Sequence, residues 1–254
     1  MLFAFEYSPF LLFAIFSLAI LYSSVGHGGA SGYIAAMALW GLAPQELRPA
    51  VLTMNIVVTA WVLFRMLPFK LLPHHIFWPC VLASVPMAFI GGLWKISTSG
   101  YYLVLGSLLF IAGARLVFPL KPNELCNENS IAPPRMLLVL IIGGVLGFTA
   151  GVSGIGGGVF LSPILIFLGW CSVRQTAAVA AGFIFLNSLS GLFGFLMSNS
   201  YNPDGLGWLL VTAFAGCLIG SEMASHRSPE KILSKLLCAV LLIAAIKMIY
   251  LSLG

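Results

Sequence analysis

The chain has 254 residues, 60% of them hydrophobic and 7% charged, where an ordinary soluble domain is about 25% charged. Its 12 Lys and Arg and 7 Asp and Glu residues cannot cover the surface of a soluble protein of this length, so the class is integral membrane protein. The net charge of +5 is not gathered into a basic face for nucleic acid, and it reads as membrane topology instead.

The apolar stretches are continuous, without the alternation of barrel strands, so the spans are helices. In chain order they cover about 8–22, 31–43, 49–67, 74–94, 100–118, 135–150, 159–171, 175–198, 205–225 and 231–253. Six of them have about 19–24 residues, enough to cross about 30 Å of hydrocarbon at 1.5 Å per residue. The other four form two short pairs, 8–22 with 31–43 and 135–150 with 159–171, each joined through glycine. The first run has neither a basic leader nor a cleavage site and is expected to be retained. Segment 119–134 is polar, with Asn123, Glu124, Asn127, Glu128 and Asn129. It divides the chain into a first membrane repeat, 1–118, and a second, 135–254, within one transmembrane domain.

The first break reads Ser24-Val25-Gly26-His27-Gly28-Gly29-Ala30-Ser31-Gly32, and the second Gly151-Val152-Ser153-Gly154-Ile155-Gly156-Gly157-Gly158. Each glycine costs an apolar helix about 1 kcal/mol against Ala, and close backbone approach to a ligand is one compensation. The breaks are related. An offset of 128 carries Gly26, Gly28, Gly29 and Gly41 onto Gly154, Gly156, Gly157 and Gly169, and Ala50-Val51 onto Ala178-Val179. Near the ends, an offset of 132 carries Ile111-Ala112-Gly113-Ala114-Arg115 onto Ile243-Ala244-Ala245-Ile246-Lys247. Internal repeats with discontinuous helices are a transporter signature, with the site expected at the repeat interface near the midplane.

The basic residues bear on topology. If each broken segment crosses once, there are eight crossings and the 12 cations divide evenly. If each is a re-entrant hairpin, Arg65, Lys70, Arg115, Lys121, Arg135, Arg174, Arg227, Lys231 and Lys235 share one side. Only Arg48, Lys95 and Lys247 lie opposite. The positive-inside tendency favours this second arrangement. The fold class expected is therefore an all-α polytopic membrane protein with two inverted four-segment repeats. Each begins with a Gly-broken helix whose arms of 13–16 residues reach about 20–24 Å, and both termini lie outside.

Non-helical backbone at membrane depth is tolerated where it is buried in protein or lines a cavity. Amide groups freed by Gly26, Gly28, Gly29, Gly154, Gly156, Gly157 and Gly158, beside Ser153 and two helix N-termini, suit an anion. Those helices are expected at Met37-to-Leu42 and Val159-to-Phe167; close packing through small residues is the alternative use of the glycines. His27 stands where the second break has Ile155, and an ionisable group at this depth is a candidate proton carrier or anion donor. A neutral His bonded to a freed carbonyl is the plainer reading. Asn55 and Asn187, in the helices after the breaks, either orient a substrate or join helices.

Arg48, Arg174, Arg115 and Lys247 read as interfacial cations, and Tyr7, Trp78, Tyr101, Trp208 and Tyr250 as interfacial aromatics. Glu222, His226, Arg227 and Glu230 read as a solvated loop cluster, and His74-His75 as interfacial, without the further ligands of a metal site. The cysteines, Cys80, Cys126, Cys171, Cys217 and Cys238, have no metal or redox spacing and read as inert. Gly151-Val152-Ser153-Gly154 matches the G-x-S-G of rhomboid intramembrane proteases with His226 as a conceivable base, but the first break has Val25 in place of Ser153. No H-E-x-x-H or P-loop is present, so no cofactor or enzymatic activity is expected and an ion gradient is the driving force.

The stretch Gly154-Ile155-Gly156-Gly157-Gly158 followed by Pro163-Ile164-Leu165, with Gly26-His27-Gly28-Gly29 in the first half, resembles the TauE/SafE (sulfite exporter) family of membrane permeases. The resemblance implies a secondary transporter of small anions, sulfite or organosulfonates, in a bacterial cytoplasmic membrane. Ala30, Ala35 and His27 depart from the family pattern in the first half. The expected partners are a small anionic substrate, the lipid bilayer, protons or another coupling ion, and a second copy in a homo-oligomer. A passive small-anion channel is the reading from another class.

Overall fold

The computed structural model describes residues 7–24, 26–66, 71–117, 134–199, 201, 204–223 and 230–253. Among these residues the secondary structure is helical, without strands. In chain order the helices are α1 (Pro9–Ser24), α2 (Ala30–Leu39), α3 (Pro44–Met66), α4 (His74–Leu93), α5 (Thr98–Val117), α6 (Met136–Ser153), α7 (Gly158–Phe167), α8 (Val173–Ser198), α9 (Leu206–Met223) and α10 (Glu230–Leu253). Five stretches are long and apolar enough to cross a membrane: Gln45–Met66, His74–Leu93, Met136–Ser153, Arg174–Ser198 and Leu206–Met223. The protein is a multi-pass helical membrane protein. Nearly all of segment 119–134, together with Val25, Lys70, His226, Arg227 and Cys126, lies outside the described residues.

The glycines that match between the halves end matching helices. Gly26 ends α1 at φ 80° and Gly154 ends α6 at φ 82°. Gly41 and Gly169, at φ 86° and 67°, follow α2 and α7. After α2, the Gly41 N–H donates to Ala38 O and the Leu42 N–H to Met37 O; after α7, the Gly169 N–H donates to Ile166 O and the Trp170 N–H to Leu165 O. This is a Schellman closure, which needs a left-handed residue that glycine supplies without a Cβ penalty. Two sequence expectations shift. Helix α2 begins at Ala30 directly after Gly29, not at Met37, because an αL Gly29 can serve as its N-cap. The arms are also unequal, with 16 and 10 residues in the first pair and 18 and 10 in the second. At 1.5 Å per residue the long arms span about 24–27 Å.

Small residues let backbones meet, and the meeting points give helix directions. Gly143, Gly147 and Gly151 of α6 lie against the backbone of Cys80, Ser84 and Ala88 of α4, so α4 and α6 run parallel. Gly216 and Gly220 of α9 lie against Phe16 and Ile20 of α1, again parallel. Helix α8 is parallel to α4, with Gly182 on Phe77 and Ser190 Oγ donating to Val85 O. Helix α3 is parallel to α9, through Trp61 Nε1–Ser221 Oγ and the Arg65–Glu222 ion pair. By contrast, α3 and α8 run antiparallel, with Arg48 over Phe195 and Asn55 on Ser188. Helices α5 and α10 are antiparallel as well, Gly106 facing Ile249 and Gly113 facing Leu242.

Without a hydrophobic drive between helices in lipid, such close approach is what holds a membrane bundle together. Large side chains such as Phe13, Leu137, Leu82 and Phe193 point outward, as an apolar solvent permits. The buried Cys80, Cys171 and Cys217 are free thiols, in line with the inert reading, and burial pushes the Cys171 thiol up to about 12.

Candidate functional site

The two breaks converge on one place, the crossing of α3 and α8. A Cβ on Gly28 would lie 2.8 Å from Asn55 Oδ1 and from Thr59 Cγ2, and 3.3 Å from Ile184. A Cβ on Gly156 would lie 2.9 Å from Ile184, 3.0 Å from Asn55 Nδ2 and 3.4 Å from Ser188 Oγ. Each glycine thus meets an α3 side chain, an α8 side chain and a hydroxyl-bearing residue. Asn55 in α3 holds the place that Ile184 holds in α8, and Thr59 that of Ser188. Only glycine lets the main chain come this close to an amide.

Asn55 is fully buried. Its Nδ2 donates to Ser188 Oγ at 3.4 Å, and its Oδ1 has no partner. An unpaired buried amide oxygen costs about 1–3 kcal/mol. The amides of Gly28, Gly29, Gly156 and Gly157 have no carbonyl partner among the described residues. Gly29 and Gly157 are the N-caps of α2 and α7, at φ 90° and 73°, so both helix N-termini face this region with their partial positive charge.

His27 lies beside this centre and bridges the halves. Its Nε2 is 2.8 Å from Ser162 Oγ in α7. Ser162 Oγ also donates to Gly158 O at 3.1 Å, which leaves Ser162 to accept from the imidazole. Ser162 escaped the sequence reading because nothing in a lone serine of an apolar run marks it. Ile184 was likewise visible only once the breaks were placed.

The other expected site residues are placed as follows. The Asn187 Nδ2 donates to Phe183 O at 2.8 Å in its own helix, and its buried Oδ1 is unpaired. Ser153 Oγ donates to Thr149 O at 2.6 Å and accepts from the Ile155 N–H at 3.2 Å, so it closes the end of α6. Gly154 packs on Arg48, Gly26 on Ala177 and Met66, and Gly158 on Ile184.

Two of the residues expected at the interface, Arg48 and Tyr101, are buried in the protein and a third, Lys247, is half-buried. Arg48 is 3% exposed. Its Nε donates to Gly151 O at 2.9 Å, and its Nη2 to Gly91 O at 2.5 Å and Gly92 O at 2.9 Å. It serves the carbonyls that the ends of α4 and α6 leave open, as a cation near a helix C-terminus does. Lys247 Nζ does the same for α2, donating to Ala38 O and Leu39 O at 2.8 and 2.9 Å. Tyr101 is 2% exposed, and its hydroxyl donates to Ser153 O at 3.0 Å. Arg174, in contrast, is exposed, as are Trp78, Trp208 and Tyr250.

Helices long enough to span a bilayer, folded around two glycine breaks that meet at a buried amide, define the class: a polytopic membrane protein with an internal polar centre. The family model described as "Sulfite exporter TauE/SafE" matches residues 11–248, and the chain belongs to that family. A "Probable membrane transporter protein y4hK" from Sinorhizobium fredii is 33% identical over 241 residues, 94% of this chain and 97% of that protein. A "Probable membrane transporter protein" from Haemophilus influenzae is 27% identical over 197 residues, 69% of this chain and 72% of its own. No solved structure matches the chain.

Proposed function

We propose that the protein is a secondary transporter of a small sulfur-containing anion, sulfite or an organosulfonate, working by alternating access around Asn55. The observation that carries this reading is the convergence of Gly28 and Gly156, from different halves of the sequence, on the unpaired Asn55 amide. The free amides of Gly28, Gly29, Gly156 and Gly157 would hold the anion's oxygens. Asn55 Oδ1 would accept from the amine or hydroxyl of an organosulfonate, or from the proton of hydrogen sulfite. Family membership supplies the sulfur chemistry, and full burial of Asn55, Thr59 and Ser188 favours a carrier over an open channel.

The repeats are inverted and the broken segments re-entrant. Three contacts support this. Arg48 with Phe195, Arg65 with Glu222, and Lys247 with Ala38 and Leu39 would each join opposite membrane faces if the breaks were single crossings. Helices α6 and α8 both run parallel to α4, so the chain has to return along α7. Positive-inside then puts both termini outside in the cell membrane. His27, bonded to Ser162 across the halves, is the group that links transport to protons.

The test is counterflow in vesicles containing the full chain, with sulfite and small organosulfonates as cargo. Saturable exchange that Asn55→Leu lowers by about tenfold or more, the scale of one lost buried polar contact of 1.4 kcal/mol or above, is the result expected. Absence of exchange for every sulfur oxyanion would remove the substrate assignment.

A further inference from the structure

Three of the 12 cations stand against the positive-inside arrangement: Arg48, Lys95 and Lys247. Lys247 is accounted for by the last carbonyls of α2, Ala38 O and Leu39 O. The other two meet in a cavity of about 170 Å³ lined by Gln45, Arg48, Lys95, Thr98, Tyr101 and Asn199, with no carboxylate in its wall. Neither Arg48 nor Lys95 has an ion pair among the described residues. Arg48 is the unusual one, a guanidinium 3% exposed that is held by main-chain carbonyls and the Phe195 ring, with no carboxylate beside it among the described residues. Its Nε and Nη2 are committed to Gly151, Gly91 and Gly92, but Nη1 reaches Trp94 O only at 3.5 Å. That leaves Nη1 the least committed edge of the group, in a cavity that also holds Lys95.

The cavity adjoins the second break. Arg48 holds Gly151 O and Tyr101 holds Ser153 O, and both carbonyls belong to the last turn of α6, just before Gly154-Ile155-Gly156. An anion resting between Lys95 and Arg48 would therefore lie on the Gly154 side of the second break, from which the chain runs on to Gly156. We infer that this cavity is an outer anion-binding vestibule, in which Lys95 and Arg48 Nη1 take a small oxyanion from solution before it reaches the central site. The vestibule rests on the proposed function for the side on which it opens, not for the sign of the ligand it takes.

The test measures charge preference and occupancy without measuring transport. Thr98→Cys is introduced into the full chain in intact cells and labelled from the medium with methanethiosulfonate reagents of opposite charge. Sodium methanesulfonate serves as the competing anion and sodium gluconate as the control. The anionic reagent should react faster than the cationic one, each scaled to a free thiol. Lys95→Gln should lower that ratio by about threefold or more, as expected for one charge removed nearby in a partly screened site. Lys95→Arg should preserve it, and methanesulfonate should slow labelling except with Lys95→Gln. An unchanged ratio in Lys95→Gln, or no protection by methanesulfonate, would overturn the vestibule. Labelling only after permeabilisation would overturn its outward face. Protection without counterflow would keep the vestibule while removing the carrier reading, and counterflow without protection would do the reverse.

Discussion

At the scale of single residues, the site is an asymmetric version of a symmetric plan. One half contributes Asn55 and the other Ile184 at the same place, and one break has His27 where the other has Ile155. Polar chemistry is thus confined to one member of each pair. The His27→Ile variant makes the two breaks alike at this position and deletes the contact with Ser162 across the halves. Counterflow measured across about pH 5–8, where an unperturbed imidazole titrates, is expected to lose its pH dependence in this variant. Ser162→Ala should shift the profile without flattening it; an unaltered profile in both would return His27 to a structural role.

A second residue-scale prediction concerns Gly28. In Gly28→Ala the new methyl would stand 2.8 Å from Asn55 Oδ1, tighter than ordinary contact. Exchange should fall with little change in folded yield, judged by size-exclusion fluorescence. A matching loss of yield would place the effect in packing rather than in binding.

At the scale of helices, glycine has two uses that composition alone cannot separate. Gly144 and Gly147 sit one turn apart on α6. A Cβ on Gly144 would find only Met87 Cγ at 3.8 Å, whereas one on Gly147 would strike the Ser84 backbone. Thermal unfolding should therefore leave Gly144→Ala close to the parent and lower Gly147→Ala by about 1–3 kcal/mol, the usual cost of overpacking.

The legibility of the sequence follows the same division. The positions of the helices were largely readable because apolar runs are local signals, whereas Gly41, matched to Gly169 by repetition, was read inside a helix that in fact ends before it. The bonds of Arg48, Lys247 and Tyr101 were not readable because their partners are main-chain carbonyls far along the chain, and a carbonyl has no letter in the sequence. Asn187, paired with Asn55 by composition, bonds through its nitrogen four residues back in its own helix, a choice between partners that composition does not show.

At the scale of the whole molecule, the two halves of the chain interlock. The long arm of the first break packs on α9 and the long arm of the second on α4, so each half supports the other's break. The topology has a direct check by cysteine labelling in intact cells. Ser252→Cys is expected to react with an impermeant reagent from the medium, and Glu222→Cys only after permeabilisation. The opposite pattern would invert the molecule and move the Arg48–Lys95 cavity to the cytoplasmic side.

The pairing of α1 with α9 also sets an order in time. Phe16 and Ile20 find Gly216 and Gly220 only after 200 further residues have been made, about 10–40 s at ordinary synthesis rates. For that interval α1 sits in lipid without its partner, and α2 and His27 wait with it. The polar centre is therefore among the last parts to form, after every other helix has entered except α10. Substitutions at Gly216 and Gly220 should act first on how many chains mature, and only afterwards on how well a mature chain works.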